Sequence, residues 1–212
     1  AIAGVINIIL KSNSSGGSGS ALYGQFKDRV GGKGNFGARG QASVNQGFEL
    51  PNDGFFSLSA DLGIQDNSNV AGAVPARTRI YFPVNGQPDP RENGESRYRQ
   101  IMGQPRSQTY NLAYNMELPL NADYTLYSFS TASHRNSESW GTYRTASSPQ
   151  NIVSVYPDGF SPRFVVEEDD FQTVVGLRND NLFGWKWDLS TSLGQDNANI
   201  RNEKSINPSF GP

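Results

Sequence analysis

The chain has 212 residues, only 35% of them hydrophobic, with 23 Gly, 12 Pro and a net charge of −2. That balance is lean for a globular core and offers no basic surface for nucleic acid; with one His and no Cys it also excludes thiol catalysis, thiolate metal sites and a disulfide framework. Yet 3 Trp, 9 Tyr and 12 Phe with a charged fraction of 18% argue against a chain kept unfolded by charge. A polar, aromatic, Gly-rich composition points to β structure. No run approaches the roughly 18 apolar residues of a spanning helix, so a membrane role would require a barrel.

In chain order, the apolar run AIAGVINIILK, residues 1–11, collapses at once into SNSSGGSGS, residues 12–20. Ala3 and Gly4 permit close backbone approach, and Val5, Ile6, Ile8, Ile9 and Leu10 suit a strand buried on both faces. A weak period of two follows in FGARGQASV, with Phe36 and Val44 against Arg39 and Gln41. FFSLSADLGI is clearer, placing Phe56, Leu58, Ala60, Leu62 and Ile64 opposite Ser57, Ser59, Asp61 and Gly63. In YNLAYNMEL, Tyr110, Leu112, Tyr114, Met116 and Leu118 oppose Asn111, Ala113, Asn115 and Glu117. YTLYSFSTAS is strand-like without a legible apolar face. FQTVVGL sets Phe171, Val175 and Leu177 against Gln172 and Arg178, and WKWDLSTSL sets Trp185, Trp187, Leu189 and Leu193 against Lys186, Asp188, Ser190 and Ser192.

The connections alternate in length. GFELPNDGF, ELPLNADY and RNDNLFGW are tight turns rich in Pro, Asn, Asp and Gly. Residues 66–107 and 135–165 have no sustained period and far exceed the usual loop limit of about 12–15 residues. Strand, short turn, strand, long loop is the pattern of an outer-membrane barrel. A soluble sandwich would alternate as well, with its apolar face inward, and sequence alone does not see that inversion. Long loops at one end and aromatics near strand ends, Tyr110, Tyr124, Trp185 and Trp187, favour the membrane barrel.

AIAGVINIILK, Ala1 to Lys11, closely resembles the last plug strand of TonB-dependent outer-membrane receptors, and Ser12 to Ser20 the linker that follows it. IVSVYPDGFSPRF, residues 152–164, and GWKWDLSTSLGQDNANIRNEKSINPSFGP at the end resemble parts of a large subgroup of the same family. The resemblance implies an all-β fold: an antiparallel up-and-down transmembrane β-barrel segment of about seven strands from a 22-stranded barrel, open when this chain stands alone. It divides the chain into residues 1–11 as the C-terminal plug strand, 12–20 as linker and 21–212 as the N-terminal part of the barrel. Without a TonB box or the bulk of a plug, the chain reads as a fragment. The implied function is TonB-energised uptake of a scarce nutrient such as a siderophore, haem, a vitamin or an oligosaccharide. The implied partners are the TonB complex through the missing N-terminal region, the small-molecule or oligosaccharide substrate, and lipopolysaccharide and lipid of the bacterial outer membrane. A porin-like passive channel or a surface β-adhesin is the alternative.

Candidates for chemistry are few. Arg77, Arg79, Arg91, Arg97, Arg99 and Arg106 make the first long loop basic, suited to an anionic substrate or lipopolysaccharide phosphates; solubility alone also accounts for loop arginines. Glu167, Glu168, Asp169 and Asp170 cluster where oxygen ligands could hold a divalent cation, a solvated rim being the plainer reading. His134 and Glu138 have the residue types of an acid–base pair. No nucleophile triad, phosphate-binding loop or HExxH is present, so neither an enzyme, a cofactor nor a metal site is expected.

Overall fold

The computed structural model describes residues 9–27 and 35–210. Seven strands form one antiparallel sheet in sequential order: β1 (Gly17–Lys27), β2 (Asn35–Leu50), β3 (Gly54–Gln65), β4 (Arg106–Pro119), β5 (Tyr124–Trp140), β6 (Arg163–Leu182) and β7 (Trp185–Lys204). Among the described residues there is no α-helix, and β1 and β7 do not pair, so the sheet is open. No helix among the described residues is long and apolar enough to cross a membrane, which says nothing about strands.

An up-and-down meander puts alternate connections at alternate ends. The short turns at 51–53, 120–123 and 183–184 therefore share one end, and the long connections 66–105 and 141–162 share the other. The expected plug strand falls largely on residues 1–8, outside the described residues. β1 begins at Gly17, inside the stretch read as linker.

The second long loop is shorter than the sequence pattern suggests because β5 and β6 continue as polar strands beyond their alternating segments, and β7 extends in the same way beside them. Cross-strand pairs hold these extensions: His134 Nδ1 to Asp169 Oδ1 at 2.7 Å, Arg163 to Glu138 at 3.3 Å, Arg201 to Glu167 at 3.6 Å, and Arg135 with Glu168. Charges paired across strands support a sheet without apolar alternation, so the period-two signal ends before the strand does.

Register carries one face through the whole sheet. Phe56 pairs with Phe48 and Met116, Leu62 with Ala42 and Tyr110, Ala60 with Val44 and Leu112. Ala132 pairs with Leu112 and Phe171, and Leu177 with Leu126 and Leu189. Directly opposed residues lie on the same face. Leu58, Trp187 and Leu193 belong to this apolar face, whereas Ser57, Asp61, Asn115, Asp188 and Ser190 lie on the other. For the segment that sequence left ambiguous, Leu126, Ser128, Ser130 and Ala132 join the apolar face and Tyr127 and Phe129 the polar one. Serine is tolerated on the apolar face because Ser128 Oγ donates to Val174 O at 2.9 Å and Ser130 Oγ to Gln172 O at 2.7 Å, which satisfies both hydroxyls internally.

Among the described residues no second layer covers that apolar face. Leu189, Leu193, Leu112, Val44 and Trp185 are all exposed, Leu189 to 70%. Apart from Val165, the buried hydrophobic residues Ala71, Val74, Ile80, Tyr81, Ala146 and Phe160 belong to the two long loops. The apolar core therefore sits in a loop cap, not under the sheet.

Two local features set expected outcomes. Phe183 and Gly184 have φ of 53° and 79° and make the two-residue turn between β6 and β7, where a left-handed Phe is strained and 94% exposed. Phe183→Asn should stabilise the hairpin by about 0.5–1 kcal/mol in denaturant titration. A Cβ at Gly176 would lie 2.3 Å from the Tyr127 ring, so Gly176→Val should cost about 1–3 kcal/mol, while Gly40→Ala, with open space around it, should be near neutral.

Candidate functional site: a polar wall and its loop cap

The polar face is a hydrogen-bonded wall. Gln41 Nε2 donates to Asp61 Oδ2 at 3.0 Å and Asn111 Nδ2 to Asp61 Oδ1 at 3.1 Å, tying β2, β3 and β4 through one carboxylate. Nearer the short turns, Arg178 makes two bonds to Glu117, at 3.1 and 2.7 Å, across β5. The Tyr127 hydroxyl donates to Asp188 at 2.6 Å, its ring lying over Gly176. Such charge-assisted bonds fix side chains that would otherwise sweep the space in front of the wall.

A strap crosses this wall. Gly16 O accepts from Gly47 N at 2.9 Å, Asn13 Oδ1 accepts from Ser57 Oγ at 2.8 Å, and Lys11 O accepts from Asn115 Nδ2 at 3.2 Å. These partners lie on β2, β3 and β4 in turn, so residues 11–16 run across the strands on the polar side.

The cap joins the two long loops at the opposite end. Its centre packs Val74, Ile80, Tyr81 and Ala146, with Tyr143 against them. Val84 and Gln87 close a tight hairpin whose Asn85 and Gly86 have φ of 50° and 74°, as the Asn-Gly pair requires. Glu92, buried, accepts from the Ile80 and Tyr81 backbone N–H groups, both at 2.9 Å, and pairs with Arg97 at 2.9 Å. Asp158 on the second loop accepts from the Tyr81 hydroxyl at 3.0 Å and pairs with Arg99 at 3.1 Å and Arg91 at 3.4 Å. Arg91 also stacks 4.1 Å from the Tyr81 ring centroid and pairs with Asp89. Its hydrogen bonds to Asp89 hold that carboxyl below the ordinary range. Burial, then the Asp158 bond, raises the Tyr81 phenol; burial pushes Tyr143 up to about 12.

The candidate arginines do not converge on one site. Arg97 donates to Val74 O, Pro75 O and Thr78 O besides pairing with Glu92, so it is a brace inside the cap. Arg99 serves Asp158, and Arg106 faces Asp66 at 4.0 Å. Arg77 and Arg79 remain exposed. The acidic cluster is split by the strand: Glu167 and Asp169 share one face, Glu168 and Asp170 the other, and three of these four are already paired, with Arg201, His134 and Arg135. No group of three or more metal-ligating side chains gathers among the described residues. His134 binds Asp169 while Glu138 binds Arg163, so these two do not form an acid–base pair. Sequence reasoning missed Asp158 and Tyr143, whose importance depends on two loops meeting, and Glu92, which the first loop folds back against Ile80, Tyr81 and Arg97; it also missed Asn13 within a Ser/Gly stretch.

No family model, curated protein or solved structure matches this chain.

The tyrosines give the cap a pH dependence. Unfolded, Tyr143 ionises near 10.0; folded, near about 12, so the unfolded state loses its proton first. The cap's resistance to limited proteolysis should be intact below pH 10 and fall as pH rises from 10.0 to about 12. Phenolate absorbance of wild type against Tyr143→Phe checks the assignment.

Proposed function

We propose that this chain is part of the wall of an outer-membrane β-barrel, its apolar face against lipid and its polar face lining the lumen, in a TonB-dependent receptor that imports a scarce nutrient. The observation that carries the membrane reading is the uncovered apolar face. A soluble domain buries such a face against a second layer, and exposed apolar surface of this extent marks contact with an apolar partner.

The band's dimensions suit a bilayer. From Phe56 to Ile64 and from Trp185 to Leu193 the apolar positions run for about 26 Å at about 3.3 Å per residue, or about 20 Å once tilted as barrel strands are. Aromatics Phe48, Phe56, Tyr124 and Trp187 edge it at the short-turn end, and Tyr124 packs edge-on to Trp187 at 6.0 Å. At the other end the same face turns charged at His134, Asp169 and Glu167. That transition fits the emergence of β5–β7 from hydrocarbon into water.

The strap supports a receptor over a passive pore, since residues 11–16 cross the polar side, where a plug would lie. The loop cap supports an external face that meets the nutrient before the wall does. Within the cap, Arg77 and Arg79 are exposed cations open to an anionic nutrient or to lipopolysaccharide phosphates.

Leu62→Arg should cost about 2–4 kcal/mol in refolding of the full-length protein into lipid vesicles, and Ser59→Arg on the polar face much less. Equal costs would remove the lipid-facing assignment. For the import reading, uptake by cells should vanish when TonB is deleted, and the purified protein should not pass small sugars in liposome swelling. Swelling at porin rates would favour a passive channel.

A further inference from the structure

We propose that residues 11–16 form a two-stage anchor: the chain stays clamped to the polar wall at Asn13 while the Lys11 stage releases, making Ser12 a pivot for whatever precedes it. This inference needs only the wall and the strap, and it stands whether or not the wall belongs to a transporter.

The inner stage is built into the sheet. Asn45 and Ser57 are 4% and 2% exposed, and Asn45 Nδ2 donates to Ser57 Oγ at 2.9 Å, which directs the Ser57 hydroxyl proton onto Asn13 Oδ1. With its carboxamide oxygen so engaged, Asn13 uses Nδ2 to donate to Ser15 O at 3.3 Å and Gly16 O at 3.2 Å, closing the strap into a turn. The backbone bond from Gly47 N then holds Gly16 O. Gly47 is the seat: a Cβ there would lie 2.4 Å from Asn13 O and 2.8 Å from Ser15 N. Those are backbone atoms and cannot swing aside as a side-chain end would, so only glycine lets the strap lie this close.

The outer stage is weaker in kind. Among the described residues, Lys11 O is held by the Asn115 amide at 3.2 Å, and the Lys11 ammonium reaches Ser18 Oγ in an exposed position. Ile9 beyond it is exposed. Water competes for each exposed bond, whereas the inner stage combines the partly buried bond from Ser57 Oγ to Asn13 Oδ1 with the backbone bond from Gly47 N to Gly16 O, two bonds that must break together. Displacement of the chain ahead of residue 11 therefore peels Lys11 first and stops at Asn13.

These 212 residues contain no cysteine, so pairs of cysteines for nitroxide labels can be placed without competition from them. In the full-length protein in lipid vesicles, labels at Ser14→Cys and Thr131→Cys should give a narrow distance distribution, and labels at Ile9→Cys and Thr131→Cys a broad one. Gly47→Val should broaden the first to match the second, while Asn115→Ala should leave the first narrow. Ser57→Ala, a smaller change, should broaden the first as well and decides the matter if Gly47→Val fails to fold by heat-modifiable mobility. A Ser14 distribution that is already broad, that stays narrow in both Gly47→Val and Ser57→Ala, or that broadens in Asn115→Ala overturns the two-stage anchor.

Discussion

A single-layer sheet has two faces and no interior, and unbroken antiparallel register is the constraint from which the remaining structure follows. Because side chains alternate with a period of two, a slip of one residue in any pairing would invert every later strand. The ladders from β2 to β5 run without interruption, and the shifts elsewhere lie near strand ends, between Gly24 and Phe26, Arg163 and Phe164, and Asn179 and Leu182. The parity of Phe56 and Leu62 is thereby transmitted to Leu189 and Leu193, four strands away.

That transmission has different consequences at different heights. Mid-sheet, the apolar face takes serine only where the hydroxyl is satisfied by a neighbouring carbonyl, as at Ser128 and Ser130. Towards the long loops the alternation gives way to ion pairs, and the strands persist because each charge meets an opposite one. At that end the chain also builds its only cluster of buried apolar side chains among the described residues, around Ile80 and Tyr81. The sheet supplies a scaffold whose stability comes from backbone pairing and from whatever covers its apolar face, and the cap supplies its own small core.

The polar wall and the strap belong together physically. A wall of amides, hydroxyls and paired charges offers hydrogen bonds to a crossing chain, and residues 11–16 take three of them on successive strands. Under the proposed reading, this surface would also be the one a solute passes. The side chains held by Asp61, Glu117 and Asp188 would then shape the passage, and the strap would define which part of it the preceding chain fills.

The sequence by itself determined the class of secondary structure, the up-and-down order implied by alternating short and long connections, and the facing of strands such as FFSLSADLGI, because a period of two is written in adjacent residues. It could not determine the ends of β5, β6 and β7, since His134 with Asp169 and Arg135 with Glu168 stabilise strands through partners about 33–35 positions away. Nor could it assign Arg97 and Arg99, which look like free loop cations until the fold places Glu92 and Asp158 beside them. The same holds for Asn13 in its Ser/Gly-rich stretch: local composition describes a flexible linker, and only the approach of Gly47 and Ser57 on two other strands turns it into a fixed crossing. Local patterns encode which way a side chain points; which partner meets it there is decided by tertiary structure, because the partners come from distant parts of the chain.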